Sequence, residues 1–250
     1  MVYPIRHAWT LLAALLAGAC AATPGERLGS VPPRSPVTPQ EQAKVYPIDV
    51  WDPIEGFNRG VYRFNTHFDR WVFLPVVHGY EYVTPDPVER GVSNFFSNLS
   101  EFRNGWNGAL QGRGDVFGTA LGRLMINSTL GVVGLFDPAT ALGYEQRPED
   151  FGQTLGRWGV PAGPYLVLPV LGPSNARDAT GVAGDTAASN LLPGVEDVNE
   201  RVYFNAAVYV LYFVDQRHQV GFRYYQSGSP FEYDLVRFLY TKTRELDIRR

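Results

Sequence analysis

The chain has 250 residues, 45% hydrophobic and 14% aromatic, with 25 acidic residues against 22 basic ones and a formal net charge of −3. That balance excludes the basic footprint of a nucleic-acid binder and offers no polybasic patch for anionic lipid. With a single cysteine no intramolecular disulfide can form, so stability has to come from packing.

At the N-terminus, Arg6, an apolar run from Ala8 through Leu16 and the small residues Ala17-Gly18-Ala19 make up a secretory signal over residues 1–19. The run is too short to span a bilayer core of about 30 Å. Small residues directly before Cys20 resemble a lipobox, after which the thiol is diacylated, although Leu16 lies one place further away than the commonest lipobox leucine. The other reading is a plain signal peptide with a cysteine near its cleavage site. Removing residues 1–19 takes one arginine and leaves 21 basic against 25 acidic residues, a net charge of −4. Residues 20–50 carry Pro24, Pro32, Pro33, Pro36, Pro39 and Pro47 and read as a lipidated N-terminus with an extended tether. Residues 51–250 are then expected to form one domain.

Asp52-Pro53-Ile54-Glu55 is a helix start, with aspartate to cap, proline for the first helical position and glutamate to close a capping-box-like pair. Phe57, Val61, Phe64, Phe68 and Trp71 follow on one helical face, with Asn58, Asn65, Thr66 and Asp69 elsewhere. Pro75 is expected to kink or end this helix. The same start recurs at Asp86-Pro87-Val88-Glu89, leading into Val88, Val92, Phe95, Leu99, Phe102, Trp106 and Leu110. A third amphipathic stretch opens at Asp115 with Phe117, Leu121 and Leu124, and a short fourth begins at Asp137-Pro138. Sustained period-two alternation is lacking, so β-structure is at most minor.

Between Gly131 and Pro173, glycines alternate with bulky apolar residues and prolines. Either an irregular buried loop region or backbone lining a lumen accounts for this. An aromatic stretch over Tyr203–Phe213 and a helix carrying Asp234, Arg237, Tyr240 and Arg244 complete the chain. No stretch after Cys20 reaches the roughly 18 apolar residues of a transmembrane helix. Charged residues are nevertheless sparse, at 19% against about 25% typically. Partial immersion in one leaflet and a tight aromatic core both fit that composition.

Catalytic constellations are not visible. His67, His78 and His218 have no metal-ligand spacing, and Ser93 and Ser174 lie in no nucleophile elbow. Gly112-Arg113-Gly114 with Gly118 misses the dinucleotide fingerprint, and the adjacent Glu149 and Asp150 read as a helix start. Neither a catalytic residue nor a metal nor a cofactor is expected.

Over about Asp52 to Arg244 the sequence resembles the MlaA/VacJ family of outer-membrane lipoproteins. The resemblance rests on Asp52-Pro53-Ile54-Glu55-Gly56-Phe57-Asn58-Arg59, Asn94-Phe95-Phe96-Ser97-Asn98-Leu99, Asn127-Ser128-Thr129-Leu130-Gly131 and Gly134-Leu135-Phe136-Asp137-Pro138-Ala139. Its most specific block is Asp150-Phe151-Gly152-Gln153-Thr154-Leu155-Gly156-Arg157-Trp158-Gly159. That block continues through Gly163-Pro164-Tyr165, Leu168-Pro169, Leu171-Gly172-Pro173 and Arg177-Asp178. The sequence departs from the family in its long proline-rich tether and in the aromatic stretch after Arg201.

The resemblance implies an all-α, single ring-like domain of amphipathic helices, partly embedded in one membrane leaflet, with an irregular Gly/Pro-rich segment. It implies a non-enzymatic, lipid-anchored protein at the periplasmic face of the outer membrane. Such a protein removes mislocalised phospholipid from the outer leaflet and passes it to a soluble periplasmic carrier. A trimeric porin and an inner-membrane ABC lipid transporter complex are the further partners implied. The family-motif residues it marks are Asp52, Pro53, Gly56, Phe57, Asn58, Arg59, Asn127, Gly131, Gly134, Asp137, Phe151, Gly152, Thr154, Gly156, Gly159, Gly163, Pro164, Tyr165, Pro169, Gly172, Arg177 and Asp178, with Cys20 as lipid anchor. Trp51, Trp71, Tyr80 and Tyr82 suit either the headgroup level or the core. Gly131–Gly172 is expected to border the lipid passage, so bulky residues at Gly131 or Gly134 should impair lipid clearance without loss of protein. The rival readings are a lipid-anchored envelope hydrolase and a structural porin-associated lipoprotein without a lipid path.

Overall fold

The computed structural model describes residues 50–189, 198–226 and 229–250. The expected signal, Cys20 and the tether through residue 49 lie outside the described residues. The first helix, α1, spans Glu55–Phe68. Asp52 does not cap it: its carboxylate accepts instead from Asn58 Nδ2 at 2.7 Å, while Glu55 pairs with Arg59 one turn later at 2.7 Å. The expected capping box therefore gives way to tertiary and within-helix contacts.

Pro75 does not end the helix either. A π-helical turn, Asp69–Phe73, joins α1 to α2 (Leu74–Val83), and Leu74 N–H donates to the Asp69 carbonyl five residues back. Proline cannot donate in the α register, and the wider turn just before it keeps the chain helical. Helices α3 (Asp86–Leu110) and α4 (Gly114–Thr129) run antiparallel about a tight turn. They approach closely because a Cβ at Gly108 would already lie 2.8 Å from Val116 Cγ1.

The glycine-rich region is ordered by short elements. Asp137 accepts from Thr140 N–H at 3.1 Å to start α5 (Pro138–Ala141), and Asp150 accepts from Gln153 N–H at 2.9 Å to start α6 (Phe151–Arg157). Strands β1 (Tyr165–Leu168) and β2 (Gly172–Asn175) pair antiparallel, Tyr165 opposite Asn175 and Leu168 opposite Gly172. Helices α7 (Ala176–Ser189), α8 (Val198–Gln219) and α9 (Glu232–Arg249) follow. The class is all-α, and β-structure among the described residues is confined to the hairpin.

The apolar core is small. Tyr62, Tyr165, Val167 and Tyr233 bury where α1, the hairpin and α9 meet, with Tyr62 edge-on to Tyr233 at 5.6 Å and to Tyr224 at 5.1 Å. Among the described residues no helix is long and apolar enough to cross a membrane.

Candidate functional site

The helices are inverted relative to a water-soluble fold. On α1, Asn58, Tyr62 and Asn65 are buried, whereas Phe57 is 64% exposed and Phe64 is exposed; in the π turn Asp69 is buried and Trp71 is 71% exposed. On α3, Asn98, Glu101, Asn104 and Asn107 point inward while Leu99, Phe102 and Trp106 are exposed. On α4, Arg123 and Asn127 are buried alongside Val116 and Ala120, while Phe117, Leu121 and Met125 are exposed. Among the described residues, fully buried polar and charged side chains outnumber fully buried apolar ones. Soluble proteins show the opposite, and continuous apolar surface of this kind marks contact with an apolar phase or partner.

The inward polar groups are satisfied by one another. Arg123, 1% exposed, donates from Nε to Glu101 Oε1 at 2.5 Å, from Nη1 to Thr140 Oγ1 at 2.8 Å and to the Tyr144 carbonyl, and from Nη2 to Asp137 Oδ2 at 3.1 Å. Asn127 donates to Asp137 Oδ1 at 2.9 Å and accepts from Ala139 N–H at 3.0 Å. Nearly two helical turns beyond Glu101 on α3, Thr154 Oγ1 donates to Asn107 Oδ1 at 2.8 Å and accepts from Gln111 Nε2 at 3.1 Å. Glu149 accepts from Gln111 at 3.0 Å and pairs with Arg113. Buried groups arranged this way add little net stability but are costly to break singly.

A second network ties α1 to the hairpin and α9. Asn58 Nδ2 donates to the Tyr165 carbonyl at 2.9 Å while its Oδ1 accepts from Val167 N–H at 2.9 Å; Asn65 does the same with the Leu168 carbonyl and Val170 N–H. Each asparagine thereby serves as an extra rung on the edge of β1. Asp52 also accepts from Tyr233 OH at 2.5 Å and Arg237 Nη1 at 3.2 Å, and Asp69 holds Arg217.

The third network joins α6, α7 and α9. Arg244 donates to both Asp150 oxygens at 2.7 and 2.8 Å and to Asp178 Oδ2 at 2.9 Å, which also accepts from Tyr240 OH at 2.7 Å. Burial alone would raise both aspartates, but Arg244 and the neighbouring donors more than offset it and hold them below the usual carboxylate range. The helices touch backbone to backbone here, since a Cβ at Gly181 would lie 2.3 Å from Gly152 N.

The residues marked in the sequence divide accordingly. Asp52, Asn58, Asn127, Asp137, Thr154, Arg177 and Asp178 enter the networks, Arg59 pairs with Glu55 and Asp234, and Tyr165 joins the core. Gly131, Gly134, Gly152 and Gly156 are close-contact positions. Phe151 packs edge-on to Trp158 at 6.0 Å. Pro53, Gly56, Phe57, Gly159, Gly163 and Pro169 lie on the surface, Gly172 is buried and Pro164 half-buried. Trp51, Trp71 and Tyr82 are exposed, and Tyr80 lies half-buried in a groove wall. Sequence reasoning missed Glu101 and Asn104, whose signal is a polar stripe on α3 opposite its apolar one, and Arg217, whose partner is 148 residues away.

Between α2 and α8 runs an apolar groove with a cavity of about 540 Å³, lined by Val76, Tyr80, Val83, Val210, Leu211 and Val214. That volume is in the range of small-molecule sites. Among the described residues no three His, Cys, Asp or Glu side chains cluster as metal ligands would. The arrangement offers apolar surface outward, polar groups inward and an apolar groove between two helices, the combination an amphiphile requires.

Comparison with known proteins agrees. A family model described as MlaA lipoprotein matches residues 50–247. An uncharacterized protein of Rickettsia prowazekii (strain Madrid E) is 42% identical over 133 residues, 53% of each chain. The intermembrane phospholipid transport system lipoprotein MlaA of Escherichia coli (strain K12) is 38% identical over 141 residues, 54% of this chain and 55% of that one. The chain thus spans about half the length of the curated relatives it matches. A solved chain described under "Structural basis for maintenance of bacterial outer membrane lipid asymmetry" superposes with a TM-score of 0.63 at 30% identity, covering 79% of this chain and 98% of that one.

Proposed function

The chain belongs to the MlaA lipoprotein family, and from that premise we propose that it is an outer-membrane lipoprotein of intermembrane phospholipid transport. Cys20 carries the lipid anchor, and the exposed apolar faces of α1, α3 and α4 sit in the hydrocarbon of the inner leaflet. The polar interior accommodates a headgroup while the groove between α2 and α8 takes acyl chains. Phospholipid mislocalised to the outer leaflet enters and is released to a soluble periplasmic carrier, which serves an inner-membrane ABC transporter complex. A trimeric porin stands beside the protein. No bond is made or broken by the protein itself.

The observation that carries this reading is the inversion of the helices. Faces of this kind solvated in bulk water would leave apolar surface exposed at a cost on the order of 25 cal/mol for each Å², whereas a leaflet satisfies them. The polar groups then take the inside, where a headgroup has to travel. Relatives in Shigella flexneri, Escherichia coli and Haemophilus influenzae that are named as intermembrane phospholipid transport system lipoproteins support the same reading.

The test is outer-leaflet phospholipid in cells lacking the protein, read by an acyltransferase that modifies surface-exposed lipid. A rise reversed by the wild-type protein is expected. An unchanged level under outer-membrane stress would leave the structural porin-partner reading in its place.

A further inference from the structure

Arg157 closes α6 and takes part in none of the networks above. Its Nε and Nη2 are both buried without a hydrogen-bond partner in the protein. These two nitrogens form the side-on edge of the guanidinium, which takes two oxygens of one anion. Elsewhere in the fold carboxylates use that edge. Arg217 holds Asp69 Oδ1 and Oδ2 through Nε and Nη2 at 2.5 and 2.8 Å, and Arg177 holds Asp178 Oδ1 through both at 2.9 Å.

Most of the fixed charges around α6 are matched by an opposite charge, and Asp185 instead accepts from Phe151 N–H and Asn107 Nδ2 at 3.0 Å each. Glu149 is paired with Arg113, and Asp150 and Asp178 with Arg244 and Arg177. Arg157 is the cation that this set leaves over. Keeping a guanidinium edge out of water without an acceptor is costly, and an incoming oxyanion removes that cost.

Position selects among oxyanions. Arg157 follows Gln153 and Thr154 by four and three residues, so it shares their helix face, and both are buried on the polar interior. The next residues in the chain turn to the surface. Trp158 is 56% exposed, its indole Nε1 donating to the Leu110 carbonyl at 3.2 Å, and Val160 is exposed as well. A two-oxygen site therefore adjoins exposed apolar surface. A phosphodiester that carries acyl chains matches both parts, and free phosphate matches only the first.

We infer that the Nε/Nη2 edge of Arg157 binds the phosphodiester of a phospholipid whose chains lie against Trp158 and Val160. The inference rests on the phospholipid reading above and adds to it a headgroup-binding residue. Because the contact is to the phosphate, lipids with different alcohols on that phosphate bind alike.

The experiment titrates the purified full-length protein, in a phosphate-free non-ionic detergent, with dihexanoylphosphatidylcholine, dihexanoylglycerol and inorganic phosphate. Binding is read from the Arg157 Nε–H resonance and from tryptophan fluorescence, in wild type, Arg157→Gln, Arg157→Lys and the exposed control Arg103→Gln. Wild type and the control should bind the phospholipid roughly tenfold more tightly than Arg157→Gln, the scale of a lost charged hydrogen-bond pair. Arg157→Lys should recover only part, since it keeps the charge and loses the edge. Arg157→Gln should melt no lower than wild type.

Equal phospholipid affinity in wild type and Arg157→Gln overturns the inference and leaves the transport reading standing. Failure of the wild type to bind phospholipid at all counts against the transport reading itself. Inorganic phosphate or dihexanoylglycerol binding as tightly as the phospholipid overturns the lipid phosphodiester as ligand. A clearly lower melting temperature for Arg157→Gln makes the residue structural and overturns it too.

Discussion

Gly131 sits where the chain turns out of α4, and a Cβ there would lie 2.3 Å from the Phe136 carbonyl oxygen and 2.4 Å from that of Asn127. Both are backbone atoms and cannot swing aside. Gly134, at φ +89°, would put a Cβ 2.7 Å from Asn98. Gly131→Ala should therefore cost about 1–3 kcal/mol, as overpacking does, measured as a lower melting temperature and reduced protein level. This replaces the expectation that substitution here spares the protein. Asp150 and Asp178 give a pH prediction. Their folded pKa values lie below the ordinary one, so the stability they contribute is complete above an unfolded pKa of about 4 and is lost as pH falls through the folded values. The melting temperature should be flat above about pH 5 and drop below about pH 4. Asp178→Asn should lower the plateau and shallow the drop; an unchanged acid limb would mean that other carboxylates set it. Caps such as Asp137 and Asp150 were legible in the sequence because their partners lie three residues away. Asp69 with Arg217 was not, because nothing local marks a partner 148 residues distant.

Period and polarity are separate kinds of information in a helix. The spacing of Phe57, Phe64 and Trp71, or of Leu99, Phe102 and Trp106, fixes which residues share a face, and the structure keeps those faces together. Spacing alone does not say which face is buried, since that depends on the surrounding solvent. The polar stripe Asn98, Glu101, Asn104 and Asn107 was the readable hint, because a solvated face more often carries lysine and glutamate than repeated asparagine. Of the two outcomes expected at Pro75, a kink or an end, the helix does not end but passes through a π turn, which depends on packing along the whole segment rather than on a local residue signal. The groove between α2 and α8 yields a test of function at this scale. Gly79 lies in its wall, and a Cβ there would meet nothing within 4 Å. Gly79→Leu should leave the protein level unchanged while occluding the groove, so that outer-leaflet phospholipid rises toward the level of cells lacking the protein. Normal surface lipid in that variant would remove the groove from the acyl-chain path.

For the molecule as a whole, attachment to the membrane has two independent sources, the proposed diacylation of Cys20 and the apolar faces of the helices. Two acyl chains make a stable anchor by themselves, and several aromatic side chains buried in lipid each add about 1.5–3 kcal/mol. Cys20→Ala, secreted behind a conventional cleavable signal, should still sediment with membranes and be released by detergent but not by high salt. Recovery in the soluble periplasmic fraction would show that the faces do not suffice. The same faces bear on the time before any bilayer is reached. Contiguous apolar surface in water drives self-association, so a chain that completed this fold while crossing an aqueous compartment would clump before arrival. Its itinerary is thereby constrained: the outward aromatics have to stay sheltered by an escort, or the final fold has to form only on contact with lipid.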